Sequence, residues 1–231
     1  MDFDDSEPCP QPDRPEPSPT AWTEGNYTIL SSDNFEFTVP DYHLLAASDV
    51  FRGFMQLDGS AAYVVFEDED LETAETVNLF LNLIINGTLE TTDVNELAIL
   101  AVFLKGFGCI NAIDTLFLQL EQGHHSAVKT FIVAAVLDDT ALCIETLEDY
   151  ALDGGADEPG ATDPAAPSDA DTAEAHTDAG ITFDIRTWPL SWAQTLPSNY
   201  RWALDVAWEA VGGSEALADE FEARLGQTQP A

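Results

Sequence analysis

Basic side chains are scarce in this 231-residue chain: seven Lys and Arg stand against 43 Asp and Glu, a formal net charge of −36 at pH 7. Gripping a phosphate backbone or an anionic lipid surface requires cationic side chains that neutralise charge and release counterions. The composition therefore argues against nucleic acid and membrane as direct partners. The acidity is spread along the chain. Residues 1–24 carry seven acids and one base, 25–150 twenty-one and three, 151–180 eight and none, and 181–231 seven and three. With no cluster rising above that background, self-repulsion that favours solubility is the leading explanation. A salt-rich surrounding, which the two lysines Lys105 and Lys129 also fit, and a basic partner are the alternatives. If self-repulsion matters, moderate salt should raise the melting temperature by screening it.

Cysteine is scarce too. Cys9, Cys109 and Cys143 are odd in number and irregular in spacing, which provides neither a disulfide framework nor a zinc site. Long apolar runs are missing: Leu97 to Leu104 is the most apolar stretch, far short of the ~20 residues of a membrane span. Met1-Asp2-Phe3-Asp4-Asp5 has no apolar character, so no secretory signal is expected. In a reducing compartment, cytoplasmic and/or nuclear, the sequons at Asn26 and Asn86 read as chance matches. Gly106-x-Gly108 lacks the Lys of a phosphate-cradling loop, and no serine elbow occurs.

An apolar content of 45% is enough for a core, and its distribution divides the chain. Residues 1–24, with prolines at 8, 10, 12, 15, 17 and 19 among acids, read as a disordered tail. Pro12-Asp13-Arg14-Pro15 formally matches a proline-motif ligand but reads as part of that solvated tail. Residues 25–122 read as one domain and 123–152 as a helical extension. Residues 153–180 hold no large apolar side chain and read as a disordered acidic linker. Residues 181–231 form a Trp-rich helical segment, too small for a separate core, that packs back on the domain or binds a partner.

Tyr27–Ser31 and Phe35–Val39 flank Ser32-Asp33-Asn34, a turn-forming trio, and predict a hairpin with one buried face. A helix opens at Pro40-Asp41, Ser48 is placed to cap a second, and Ala62–Phe66 reads as a third strand. Asp70 is the expected N-cap of a helix whose apolar face is Val77, Phe80, Leu81, Ile84 and Ile85, ended by Gly87. Asp93-x-x-Glu96 looks like a capping box before a helix that is apolar nearly all round and stops at Gly106 and Gly108. Further helices follow through Ile113–Leu120, Val128–Val136 and Ile144–Tyr150. In the C-terminal segment, Ala203, Val206, Ala207, Ala210 and Val211 mark a helix face broken by Gly212-Gly213. Ser214 would cap a last helix carrying Leu217, Phe221 and Leu225.

Several strings resemble the BTB/POZ family. Ser32 to Val39 is similar to its second hairpin strand. Leu45-Ala46-Ala47-Ser48-Asp49-Val50-Phe51-Arg52-Gly53-Phe54-Met55 resembles its most distinctive stretch. Val64-Val65-Phe66 followed by acids, Asn86-Gly87, and residues 93–120 stand where the family has its third strand, a helix stop and a helical pair. Two positions depart from the pattern: the usual His after the hairpin is replaced by Pro40 or displaced to His43, and Phe107-Gly108 stands where a Lys-Tyr-Gly-like string is common. The resemblance implies an α+β fold, a small sheet packed with helices and followed by a helical extension. It also implies a non-catalytic adaptor that binds protein partners and forms homodimers. Cullin scaffolds are among the partners of such domains, but the hydrophobic-x-Glu triplet of cullin-binding members is missing from Gln56-Leu57-Asp58-Gly59-Ser60-Ala61. The alternative function is an acidic transcriptional regulator whose aromatic C-terminal segment folds on a cofactor.

Reactive chemistry finds little support. Glu67-Asp68-Glu69-Asp70 lacks the glycine and distal Glu of a calcium loop and reads as helix capping. His124 and His125 are adjacent, so on a helix they point about 100° apart and poorly share one ion. Cys109 and Cys143 sit among apolar neighbours with no evident base. No catalytic, cofactor-binding or metal-ligating residue is assigned, and no cofactor is expected.

Overall fold

The computed structural model describes residues 22–57, 62–122, 125–152, 181–213 and 216–228. The expected proline-rich ligand, most of the N-terminal tail, the acidic linker, His124 and the Ser214 cap lie outside them. The fold is α+β. Strands β1 (Tyr27–Leu30) and β2 (Glu36–Val39) form the expected hairpin, with Tyr27 opposite Val39 and Ile29 opposite Phe37. Period-2 alternation puts Tyr27, Ile29, Phe37 and Val39 on one buried face. Asn34 turns the chain at φ 68°, a conformation asparagine tolerates. Ser31 and Asp33 bind through their side chains (2.6 Å), and Asp33 also accepts from the amide of Ala74 (2.8 Å), tying the turn to a later helix.

Residues 22–24 differ from expectation. They are part of the sheet's margin rather than of a disordered tail, because Thr23 bridges to Thr38 and the Trp22 carbonyl accepts from the Thr38 amide (3.0 Å). The Trp22 indole donates to Asn78 (2.9 Å). Gly25 makes this approach feasible: a Cβ there would stand 2.0 Å from the Val39 carbonyl carbon.

Helices α1 (Asp41–Ala47) and α2 (Asp49–Leu57) follow. The third strand, β3 (Tyr63–Val65), pairs in parallel with β1, giving the order β2-β1-β3. Helix α3 (Ala74–Leu81) starts later than the acidic run suggests. Its cap is Thr73, which accepts from the Thr76 amide, and not Asp70. Asp70 is occupied upstream, in a turn where Asp68 accepts from the amides of residues 70 and 71, both at 3.0 Å. Glu72 closes the same turn onto the amides of Glu67 and Asp68 (both 2.8 Å). Beyond Leu81 the chain widens into a π-helical turn, Asn82–Asn86, stopped by Gly87 at φ 65°. Asn82 is buried there and is held by Glu90 (3.2 Å) and Asn86 (3.0 Å).

Helix α4 (Val94–Gly106) is buried on most sides, as its composition predicts. Asp93 caps it through the amides of Asn95 (2.7 Å) and Glu96 (3.3 Å). The reciprocal half of a capping box is replaced by Thr91, whose hydroxyl accepts from the Asp93 amide (3.1 Å). Helices α5 (Ile110–Gln122), α6 (Ala127–Leu137) and α7 (Thr140–Leu152) complete this part of the chain. After a 3₁₀ turn at Ile185–Thr187 come α8 (Leu190–Thr195), α9 (Ser198–Val211) and α10 (Leu217–Thr228).

Two hydrophobic cores result. The first joins the sheet to α1–α5 around Phe51, Phe66, Phe80, Phe103 and Phe107, whose ring centroids lie 4.4–6.5 Å apart in the contacting pairs. The second brings residues 181–228 onto α6 and α7, with Phe131 edge-on to both Phe183 and Phe221 (5.4 Å each). The C-terminal segment thus packs back on the preceding helices. Its α9 face is rotated from the one expected: Tyr200, Ala203, Leu204 and Ala207 are buried, while Ala210 is exposed.

Candidate interaction surfaces

Ser48, in the string that carried the resemblance, is fully buried and makes three bonds. Its hydroxyl accepts from the amides of Val50 (3.1 Å) and Phe51 (3.2 Å), capping α2, and donates to the Phe107 carbonyl (2.5 Å). One hydroxyl therefore starts α2 and anchors it to the end of α4, which fixes the Phe51 ring stacked on Phe107 (5.3 Å, 16°). This frame holds α1 at the surface.

On α1, Tyr42 is 61% exposed and its ring leans on His43 (4.2 Å between centroids). A shallow groove of about 170 Å³ runs between α1, the π turn and α5, lined by His43, Ala46, Ile84 and Thr115 among others. Ile110, at the start of α5, is 70% exposed. The groove lining mixes polar His43, Asn111 and Thr115 with apolar Ala46, Leu83 and Ile84.

A second cleft, about 460 Å³, lies between α5 and α7. Asp114, Phe117, Leu118 and Glu121 of α5 form one wall, on positions i, i+3, i+4 and i+7 of a single helix face. The turn residue Asp139 with Leu142 and Glu145 of α7 form the other. Phe117 touches both cores at the base of this cleft, and Leu118 is 49% exposed. Leu118 sits off the buried stripe of Ala112, Leu116 and Leu120.

Beside it, the αL turn at Asp138 (φ 62°) joins α6 to α7. The buried Tyr200 hydroxyl donates to Asp138 (2.9 Å) and shares a bond with Thr140 (2.9 Å), and burial pushes its pKa well above the ordinary tyrosine value, holding it protonated. Lys105 donates to the Leu137 carbonyl (2.8 Å) on the same corner. Nothing in the local sequence signals that Tyr200 reaches back 62 residues.

The residues considered for chemistry do not converge. Cys109 and Cys143 are buried free thiols. Desolvation pushes Cys109 up to about 11. Desolvation together with Asp139 and Asp138 raises Cys143 further. Thiols held protonated in this way are poor nucleophiles. Among the described residues, no group of three or more His, Cys, Asp or Glu is arranged to hold a metal ion. None of the helices among the described residues is long and apolar enough to cross a membrane.

No protein-family model, curated protein or solved structure matches this chain.

Proposed function

We propose that this chain is a non-catalytic protein-interaction adaptor built on a BTB/POZ-like domain, and that it self-associates. The observation that carries the reading is the order of elements: a hairpin, two short helices, a third strand parallel to the first, then helices α3 to α5, all on one core. That is the order the resemblance at residues 27–120 implies. Buried Ser48 gives its most distinctive string a physical reason to exist. Exposed Tyr42 on α1 and Ile110 on α5 supply apolar contacts for a second copy or another protein.

The alternative, an acidic transcriptional regulator whose C-terminal segment folds only on a cofactor, needs residues 181–228 to be free. Their packing against α6 and α7 favours the adaptor. The cullin scaffold is the less favoured partner because its triplet is absent from the sequence after α2. A cytoplasmic or nuclear location suits this role.

Sedimentation velocity at micromolar concentration tests self-association. We expect a species of twice the 25.1 kDa chain mass that Tyr42→Glu with Ile110→Glu converts to monomer. A wild-type chain that stays monomeric removes homodimerisation from the proposal.

A further inference from the structure

We propose that the cleft between α5 and α7 docks a basic amphipathic helix from a partner protein. The inference goes beyond the adaptor reading and does not depend on the BTB-like resemblance, because it concerns a different face and uses only the geometry of that cleft.

The cleft combines two features. Its base is apolar, formed by Phe117 where the two cores meet, with Leu118 49% exposed beside it. Its rim is acidic on both sides: Asp114 and Glu121 on α5, Asp139 and Glu145 across from them. Among the described residues, the ion pairs join Arg52, Arg186 and Arg224 to other carboxylates, so none of these four is neutralised by them. Asp139 also has local work, accepting from the Leu142 amide (3.0 Å) at the start of α7. The acidic run at residues 67–70 is different, because its Asp68 and the neighbouring Glu72 are engaged in closing a turn.

Charge decides the occupant. A second copy docked symmetrically at this cleft would set the acidic rim against itself. A Lys- or Arg-bearing segment is attracted instead, and its apolar side chains have Phe117 and Leu118 to cover. Asp114 and Glu121 are seven residues apart on α5, about 10 Å along the axis, which matches two turns of a docked helix. Apolar residues at i, i+3, i+4 and i+7 would face the base, with basic residues flanking them.

The test uses the full chain and a fluorescein-labelled Leu/Lys peptide of about 14 residues with helical apolar spacing, alongside a scrambled peptide of the same composition. Binding is read by anisotropy. The variant Asp114→Asn/Glu121→Gln/Glu145→Gln is compared with Glu36→Gln/Glu69→Gln/Glu222→Gln, which removes the same charge from exposed positions elsewhere. Leu118→Ala is measured separately. We expect the cleft triple variant to weaken binding about tenfold or more and the control triple about twofold or less. Leu118→Ala should weaken it several-fold, as expected for a truncated interface contact. Amide shifts in labelled wild-type chain should concentrate at residues 114–121 and 139–145. Equal losses in the two triple variants, equal binding of the scrambled peptide, or no binding of the patterned peptide would overturn the proposal.

Discussion

The two cores of this molecule are built differently. The first is a stack of phenylalanines closed by neighbours in sequence: hairpin, short helices and α4 follow one another, and Ser48 links two of them with one hydroxyl. The second is assembled from α6 and α7 and from a segment that returns after residue 180. Its aromatic members also carry polar handles. Tyr200 reaches Asp138 and Thr140, and the Trp188 indole donates to the Thr182 carbonyl (2.7 Å). Apolar area alone is non-directional and fixes neither the angle nor the register of a returning segment. Side-chain hydrogen bonds at its contact points supply that direction. The first core gains its register from the strand ladder and needs fewer such pins.

Truncating the central ring of each core tests whether they are coupled. Phe103→Ala and Phe131→Ala should each cost about 3–5 kcal/mol in chemical denaturation. A single transition in both variants means the two cores unfold together. A separate early transition in Phe131→Ala alone would mean the second core is an independent appendage.

A smaller loss follows at the margin of the first core. Gly25→Ala pushes a methyl into the Val39 carbonyl, and the backbone shift it forces should cost about 1–3 kcal/mol. Exchange of the Asn26 and Thr38 amides should accelerate, since both donate across that seam. Unchanged stability would mean that residues 22–25 contribute little to the sheet.

Removing the polar pin of the second core has a subtler effect. Tyr200→Phe keeps the ring and loses the bonds to Asp138 and Thr140, at a cost of about 1–2 kcal/mol. The loss should appear in α9 and α10 before it appears in the sheet. A uniform loss would argue against a pinning role.

The smallest effect is electrostatic. Partial desolvation and the adjacent Glu96 and Asp93 raise the Glu75 carboxyl above its ordinary value. A raised folded-state pKa means the protonated form is favoured in the fold. That contribution is complete below the unfolded pKa and disappears as pH rises through the folded one. Glu75→Gln should therefore raise the melting temperature slightly at neutral pH and leave it unchanged at acidic pH. Because Glu75 is exposed, solvent screening keeps the gain small, and added salt should reduce it. A gain that persists in acid would point to another cause.

The first core was largely legible because its signals are local. Alternation marked Phe37 and Val39, a turn trio marked the hairpin, and Ser48 and Asp93 announced their helices. Asp70 misled because several acids compete for the same amides, and geometry gave the turn to Asp68 and Glu72 and the helix to Thr73. The π turn at Asn82 was invisible because it is held by Glu90 and Asn86, contacts that no periodicity encodes. The α9 face was misjudged because small alanines fit either of two adjacent stripes, and Tyr200 chose between them through partners 60 and 62 residues away. The cleft between α5 and α7 was illegible for the same reason, since its walls come from different helices.

Whether residues 181–228 belong to the fold decides between a docking protein and a segment waiting for a cofactor. Hydrogen–deuterium exchange on the isolated chain measures this directly. The account predicts that amides of Ala203, Leu204 and Ala207 are protected to the same degree as those of Phe131 to Ala135 in α6. Rapid exchange throughout α9 and α10, with α6 still protected, would contradict it.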